Sequence, residues 1–303
     1  MREDELYFES PYFKTKSEIS QNWFVEKGWI ELLQDGRVIL KNDFMKVMQL
    51  FDTIILIWAT KDKAIEYLYP DFYCSKDLEK CNYLHQFYPH CVFSSVNADD
   101  YFSPDTLKYS GFVNNPAICM HSYIQYQNSI IKEDQPIVIT AKGKCKRNEH
   151  NGFYSLERLL DFTMREVVFI GTAEYVVQKR NEYMDKARQL VEDLHLDGKI
   201  MLSNDPFFKK EDETKVLFQK RFKLKYELLL KNPQSNNEVA VASFNYHNVN
   251  FSKPYKIHLA DHRLAHTACV AFGLERLAFT YLMQVGVDKC YNTLNEYIMK
   301  LTR

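Results

Sequence analysis

No apolar run in this chain is long enough to cross a bilayer. The longest, Thr53-Ile-Ile-Leu-Ile-Trp-Ala59, spans about seven residues, whereas a membrane helix needs roughly 20. Charge of one sign is not in excess either: 39 basic residues stand against 40 acidic ones, a formal net charge of −1. No global positive field therefore draws in a nucleic-acid backbone, and such a partner would need a local patch or an added domain. Internal repeats and low-complexity tracts are missing, and the linker-like places are few: Asn232-Pro-Gln-Ser-Asn-Asn237 and the polar segment from Ser129 to Gln135. The first residues, Met-Arg-Glu-Asp-Glu-Leu, do not read as a charged-then-apolar signal. The seven cysteines, at 74, 81, 91, 119, 145, 269 and 290, are odd in number and scattered, which excludes a small disulfide scaffold. A reduced, cytoplasmic protein is expected.

What is present is core-forming material. With 303 residues, 46% hydrophobic and 15% aromatic, the chain can bury a large core, and one continuous domain over 1–303 is expected. The periodicity predicts a helix from about Asp43 to Tyr67, apolar at Phe44, Val47, Met48, Phe51, Ile55 and Ile57, with Pro70 ending it. Strands are expected at Ile137 to Ala141, Gly152 to Phe153 and Glu166 to Ile170. A helix follows from about Ala173 to Leu194, then a charged stretch Lys209 to Lys231; together these predict a helical insertion over about 173–231. Strands at Val239 to Tyr246 and Tyr255 to Leu259 and a final helix from about Leu274 to Val285 complete an α+β domain with a central antiparallel sheet flanked by helices.

The chemistry concentrates in three segments. Cys119, Glu166 in Asp161-Phe-Thr-Met-Arg-Glu-Val-Val-Phe169, and Cys269 offer two thiolates and a carboxylate, a donor set that suits zinc with one tetrahedral position left open. Arginines lie beside two of the three. Buried inert thiols are the alternative for Cys119 and Cys269. In Lys144-Cys-Lys-Arg-Asn-Glu149, Arg147 and Glu149 leave a strand on one face, where the arginine can take a phosphate bidentately and the glutamate can accept from an amino group; a solvated turn is the alternative. Arg158, Phe162 and Glu166 follow at intervals of four, so on a strand a cation, an aromatic plate and a carboxylate would line one groove, as an ATP site requires. A core phenylalanine with surface ion pairs is the plainer reading. The third segment, His266-Thr-Ala-Cys-Val-Ala-Phe-Gly-Leu-Glu-Arg-Leu-Ala278, places a small-residue strand and Gly273 before a helix whose first turn carries Arg276. Cys74 and Cys81, with His85 and His90 nearby, match no standard zinc spacing.

These segments, in this order, resemble the catalytic core of class II aminoacyl-tRNA synthetases. Lys146-Arg-Asn-Glu149 with Arg158, Phe162 and Glu166 looks like motif 2, Gly273-Leu-Glu-Arg276 like motif 3, and Ala64-Ile-Glu-Tyr-Leu-Tyr-Pro70 like the motif 1 helix ending in its proline. Within that class the resemblance, over roughly residues 40 to 285, is to the zinc-dependent seryl-tRNA synthetase core of methanogens and its truncated relatives, the amino acid:[carrier protein] ligases.

The resemblance implies zinc on Cys119, Glu166 and Cys269. It implies Arg147 on the α-phosphate of ATP, Phe162 on adenine, Glu149 on the adenine amino group, Arg158 and Arg276 on the outer phosphates, and magnesium on Glu238. It further implies that a small amino acid, of glycine, alanine or serine type, is activated as an adenylate and passed to the phosphopantetheine thiol of a carrier protein. A homodimer formed through the motif 1 helix is expected. The first motif begins about 40 residues in, so no tRNA-binding extension, and hence no tRNA partner, is expected. The stretch 209–225, with seven basic residues against three acidic, offers charge complementarity to an acidic carrier; a solvated helix face explains it equally. Two other functions fit the same motifs: a tRNA-charging enzyme that recruits a tRNA-binding partner, and a non-catalytic paralogue acting as a binding module. The standing of Arg147, Phe162, Glu238 and Arg276 counts against the second.

Overall fold

The computed structural model describes residues 5–14, 17, 19–148, 155–203 and 221–303. Eight strands form the main sheet: β1 (Leu6–Glu9), β2 (Ile65–Tyr67), β3 (Ile137–Lys146), β4 (Asp161–Gly171), β5 (Gly198–Leu202), β6 (Lys225–Lys231), β7 (Glu238–Asn248) and β8 (His266–Gly273). Their spatial order is β1-β5-β6-β7-β8-β4-β3-β2. Neighbours run antiparallel except at one edge, where β2 pairs parallel with β3. A smaller antiparallel sheet, Phe72–Cys74, Leu107–Asn114 and Phe93–Asn97, lies between β2 and the helix α2 (Met120–Gln125) in sequence.

Strand β4 shows how the sheet divides its labour. Its residues alternate between two faces, as a pleated strand must. Val167 and Phe169 enter the larger core. That core is completed by helices α1 (Asn42–Lys61), α3 (Ala173–Asp193), α4 (Leu274–Val285) and α5 (Cys290–Thr302). On α1, Phe44, Val47, Met48, Phe51, Ile54, Ile55, Trp58 and Ala59 are buried at helical spacing, and Trp58 meets Phe272 edge-on at 6.0 Å. Each such side chain contributes about 2 kcal/mol of burial free energy. Val168 and Ile170, on the opposite face, join a second cluster with Cys119, Tyr123, Cys269 and Ala271. The chemistry-bearing residues lie on that second face.

An ion cluster centred on the buried Arg165 ties α1 and β2 to β4. Arg165, 1% exposed, donates from Nε to Asp52 of α1 at 2.7 Å and from Nη1 to Glu66 of β2 at 2.6 Å. Lys142 of β3 adds a 2.8 Å contact to Asp52.

Several expected boundaries shift. The helix expected to reach Tyr67 ends at Lys61, with Lys63 in the left-handed region at φ 59°; Ile65–Tyr67 is then a strand, so the residues resembling motif 1 are the strand and not the helix. Their alternation is short enough to read as either. The stretch 173–231 is not helical throughout: after Ala173–Asp193 it supplies β5 and β6, both in the main sheet, while residues 204–220 lie outside the described residues. The expected strand Tyr255 to Leu259 is a short helix, Ser252–Tyr255, followed by the two-residue strand His258–Leu259. The expected strand at Gly152 to Phe153 lies outside the described residues. Helix α5 was not anticipated, although Leu294 and Tyr297 are buried on it. Among the described residues, no helix is long and apolar enough to cross a membrane.

Candidate active site

Glu166 sits in the middle of β4, opposite Ala141 of β3 and Ala271 of β8. Two methyl side chains flank it, so the carboxylate has room to stand up from the sheet. Cys269 of β8 lies opposite Val168, and its Sγ donates to Glu166 Oε2 at 3.3 Å. The third member arrives from outside the sheet. The strand Leu107–Asn114 ends in a turn that brings the Ile118 amide to Glu166 Oε1 at 3.0 Å and the Cys119 amide to Oε2 at 2.8 Å. Ligand atoms of Cys119, Glu166 and Cys269 all lie within 4.8 Å of one another, and all three residues are buried. Among the described residues this is the one such cluster, and Cys74 and Cys81 are not part of it.

The donor set fits a metal cation. Burial, the neighbouring Cys119 sulfur and the Glu166 charge push the Cys269 thiol well above its usual range. The Cys269 hydrogen bond favours the Cys119 thiolate, but burial and the Glu166 charge outweigh it, and this thiol is raised too. Two thiols crowded on a buried carboxylate form a site that a divalent cation reorganises, because the cation stabilises both thiolates. Two sulfurs and one oxygen suit zinc, and the two backbone amides hold the carboxylate in place.

Phe162, four residues before Glu166 on β4, shares its face as expected. Arg147 follows β3; its Nε donates to the Pro116 carbonyl at 2.8 Å and its guanidinium lies 5.3 Å from the Phe162 ring centre. A cation and an aromatic plate thus meet on the side of the sheet that carries Cys119, Glu166 and Cys269. Arg276, in the first turn of α4, donates from Nη1 to the Ala240 carbonyl of β7 at 3.3 Å. Neighbouring Glu275 is buried and accepts from the Thr163 amide and hydroxyl, at 2.7 and 2.8 Å, which pins the start of α4 to β4; burial raises its carboxyl above the usual range. Glu238 opens β7 and is exposed, paired with Lys199 at 2.7 Å.

One expectation changes. Arg158 is exposed and lies in a turn, its amide donating to the Ser155 carbonyl at 2.9 Å, so it does not continue the strand face of Phe162 and Glu166. The arginine beside Glu166 in sequence, Arg165, points through the sheet to Asp52 and Glu66; alternation sends adjacent residues to opposite faces. Glu149 lies outside the described residues.

Other residues on this face were not picked out beforehand. Ile200 and Leu202 enter the large core, so Lys199 and Met201 face the other way, with Lys199 only 8% exposed. Asn245, opposite Cys269, donates to Ser243 Oγ at 3.1 Å and to the Cys269 carbonyl at 3.4 Å. The alternation of Ser243 and Asn245 with Ala242 and Phe244 was a legible sign of a polar face. Buried Tyr123 bonds His247 Nδ1 through its hydroxyl at 3.2 Å.

The sheet has the fold of class II seryl-tRNA synthetase cores. The M. kandleri seryl-tRNA synthetase, solved in complex with A. aeolicus tRNASec, superposes on 97% of this chain and 63% of its own with a TM-score of 0.84 at 19% identity. The seryl-tRNA synthetase of Pyrococcus horikoshii, solved with ATP, covers 90% of this chain and 59% of its own with a TM-score of 0.68 at 13% identity. At these identities the likeness establishes the fold.

Sequence relatives carry both of the names anticipated. The amino acid--[acyl-carrier-protein] ligases 1 and 2 of Bradyrhizobium diazoefficiens are 39% and 40% identical to this chain over 133 residues, which is 44% of this chain and 41% and 40% of theirs. The type-2 serine--tRNA ligase of Methanococcus aeolicus is 31% identical over 201 residues, 64% of this chain and 38% of its own. The chain thus matches about two fifths of the length of these curated relatives. No family model matches it.

Proposed function

We propose that this protein activates a small amino acid with ATP and passes it to the phosphopantetheine thiol of a carrier protein. The observation that carries the reading is one sheet face holding both a buried Cys119, Glu166 and Cys269 cluster and the Arg147 and Phe162 pair. The names of the relatives support it.

On this reading each residue of the site has a role. Adenine stacks on Phe162, whose ring is already paired with a cation, and Glu149 accepts from the adenine amino group. Arg147 holds the α-phosphate, and Arg158 and Arg276 the outer phosphates, while Glu238 takes the magnesium that accompanies ATP. Cys119, Glu166 and Cys269 would hold zinc, whose Lewis acidity when bound would favour an uncharged α-amino group and so select amino acids. An oxygen of the amino-acid carboxylate attacks the α-phosphorus, the bond to the bridging oxygen breaks, and pyrophosphate leaves. The carrier thiol then attacks the adenylate carbonyl, a thioester forms, AMP departs and the thiol proton is released. No side chain acts as nucleophile, so catalysis rests on positioning and charge neutralisation.

Two parts of the reading concern partners. The carrier docks on the basic stretch 209–225, of which 209–220 lie outside the described residues and Arg221 is exposed. A homodimer in the cytoplasm completes the proposal. It is supported by apolar side chains exposed between Ile65 and Phe112, among them Leu68 at 89% and Phe102 at 77%; the apolar face of α1, by contrast, is buried within the chain.

The test is amino-acid-dependent ATP–pyrophosphate exchange across a panel of amino acids, with and without a zinc chelator. Chelator-sensitive exchange with one small amino acid is expected; no exchange with any amino acid defeats the catalytic reading and favours the non-catalytic paralogue. The type-2 serine--tRNA ligase relatives favour a second reading, tRNA charging, which predicts aminoacylation of tRNA once a tRNA-binding partner is added.

A further inference from the structure

The carboxylate of Glu166 is held by two amides that belong to no regular element, those of Ile118 and Cys119. Something must hold that turn, since an irregular segment fixes its own amides poorly. Arg147 holds its Pro116 carbonyl, and the residue that bonds it on both sides of Cys119 is Tyr73, in the small sheet, 2% exposed and inside the same cluster as Cys119 and Cys269. Its hydroxyl donates to the Ala117 carbonyl at 2.7 Å and the Ile118 carbonyl at 3.1 Å, and accepts from the His121 amide at 3.1 Å. One phenol oxygen therefore bonds residues on both sides of Cys119.

The tyrosine is itself clamped. Its ring stacks on His121 at 3.8 Å, and the other face of that imidazole meets Tyr69 at 5.1 Å. His121 Nε2 bonds Asn115 Oδ1 at 3.1 Å, and Asn115 Nδ2 donates to the Pro70 carbonyl at 2.9 Å. The segment from Pro70 to Cys74 is thus locked to the turn from Asn115 to His121 by hydrogen bonds and ring stacking. Burial holds His121 neutral, its pKa pulled down to about 4, so the stack does not change charge near neutral pH.

We propose that Tyr73 is a positioning residue of the metal cluster: its hydroxyl fixes the turn that presents Cys119 and the two amides cradling Glu166. The proposal rests on the zinc reading above. Partners that orient metal ligands typically change affinity by 10–100-fold when removed.

The test is zinc affinity of purified wild-type and Tyr73→Phe protein, read by competition with a chromogenic chelator. The phenylalanine keeps the ring stack and deletes only the hydroxyl. A fall in affinity of about 10-fold or more is expected, with KM for the amino acid rising more than KM for ATP. Equal zinc affinity in the two proteins overturns the proposal. Failure of the wild type to bind zinc at all sinks the metal reading instead, so the two failures are told apart. Hydrogen exchange on the wild type removes any dependence on the variant folding: the Ile118 and Cys119 amides are expected to be protected with and without zinc. Free exchange of both until zinc is added would show that the ion, and not Tyr73, organises the turn.

Discussion

Glu166 and Cys269 stand on neighbouring antiparallel strands, offset by two residues, with the Cys269 sulfur 3.3 Å from the Glu166 carboxylate. Cys119 joins them from a turn, and its own amide bonds the same carboxylate oxygen. Glu166 is therefore both a ligand candidate and the group around which the other two are assembled.

Substitution of that carboxylate tests the assembly. Glu166→Gln keeps the size but loses the charge, and zinc content per folded chain is expected to fall at least 10-fold with exchange activity falling in parallel. Elemental analysis beside pyrophosphate exchange checks both. Full zinc occupancy in the variant would remove Glu166 from the ligand set.

Zinc binding should release protons. The Cys119 and Cys269 thiols lie above their usual range, so both are protonated near neutral pH until a cation enters, and affinity is expected to weaken as pH falls. Calorimetry in buffers of different ionisation enthalpy would count the protons, with about two per zinc expected from the two thiols.

Phe162→Ala removes the aromatic plate under Arg147. Stacking of a base on an aromatic ring is worth about 1–3 kcal/mol, so KM for ATP is expected to rise roughly 10–100-fold while zinc content is unchanged. Initial rates at varied ATP decide this.

Arg165→Met tests the ion cluster on the far side of the sheet. Leaving Asp52 and Glu66 without this partner is expected to cost about 3 kcal/mol in urea unfolding, with zinc content per folded molecule retained. Burial alone would raise the Asp52 carboxyl, but hydrogen bonds from Arg165 and Lys142 outweigh it and hold it below its usual range. A depressed carboxyl contributes stability present above its unfolded pKa and lost as pH falls through the folded one. The wild type should lose this contribution on acidification, and the variant should show a flatter acid limb.

Glu238 and Lys199 form a pair at 2.7 Å. Glu238→Gln is expected to raise the magnesium concentration needed for half-maximal exchange several-fold, measured at saturating ATP. An unchanged magnesium requirement would take Glu238 out of the proposed metal role.

Much of the site was legible in the sequence because strand periodicity is strict. Phe162 and Glu166, four apart, share a face wherever that segment is a strand, and the glycine turn before Arg276 starts a helix as its spacing implies. Adjacency along a strand is not adjacency in space: the same alternation that turns Glu166 toward Cys119 and Cys269 sends its neighbour Arg165 to Asp52 and Glu66. The helix over 43–67 was overextended because Ile65–Tyr67 is too short for its pattern to separate strand from helix, and its pairing with β3 decides the matter.

The sequence by itself determined the composition of a large core and the central strands, since these depend on residue type and local period, while the three ligand candidates came from the resemblance to class II synthetase motifs. Tertiary structure alone decided that Cys119 meets Glu166, 47 residues away, that Lys199 faces Glu238, and that Tyr73 clasps the turn that carries Cys119. Those contacts are set by strand register and by the path of an irregular turn, and neither leaves a period in the sequence to be read.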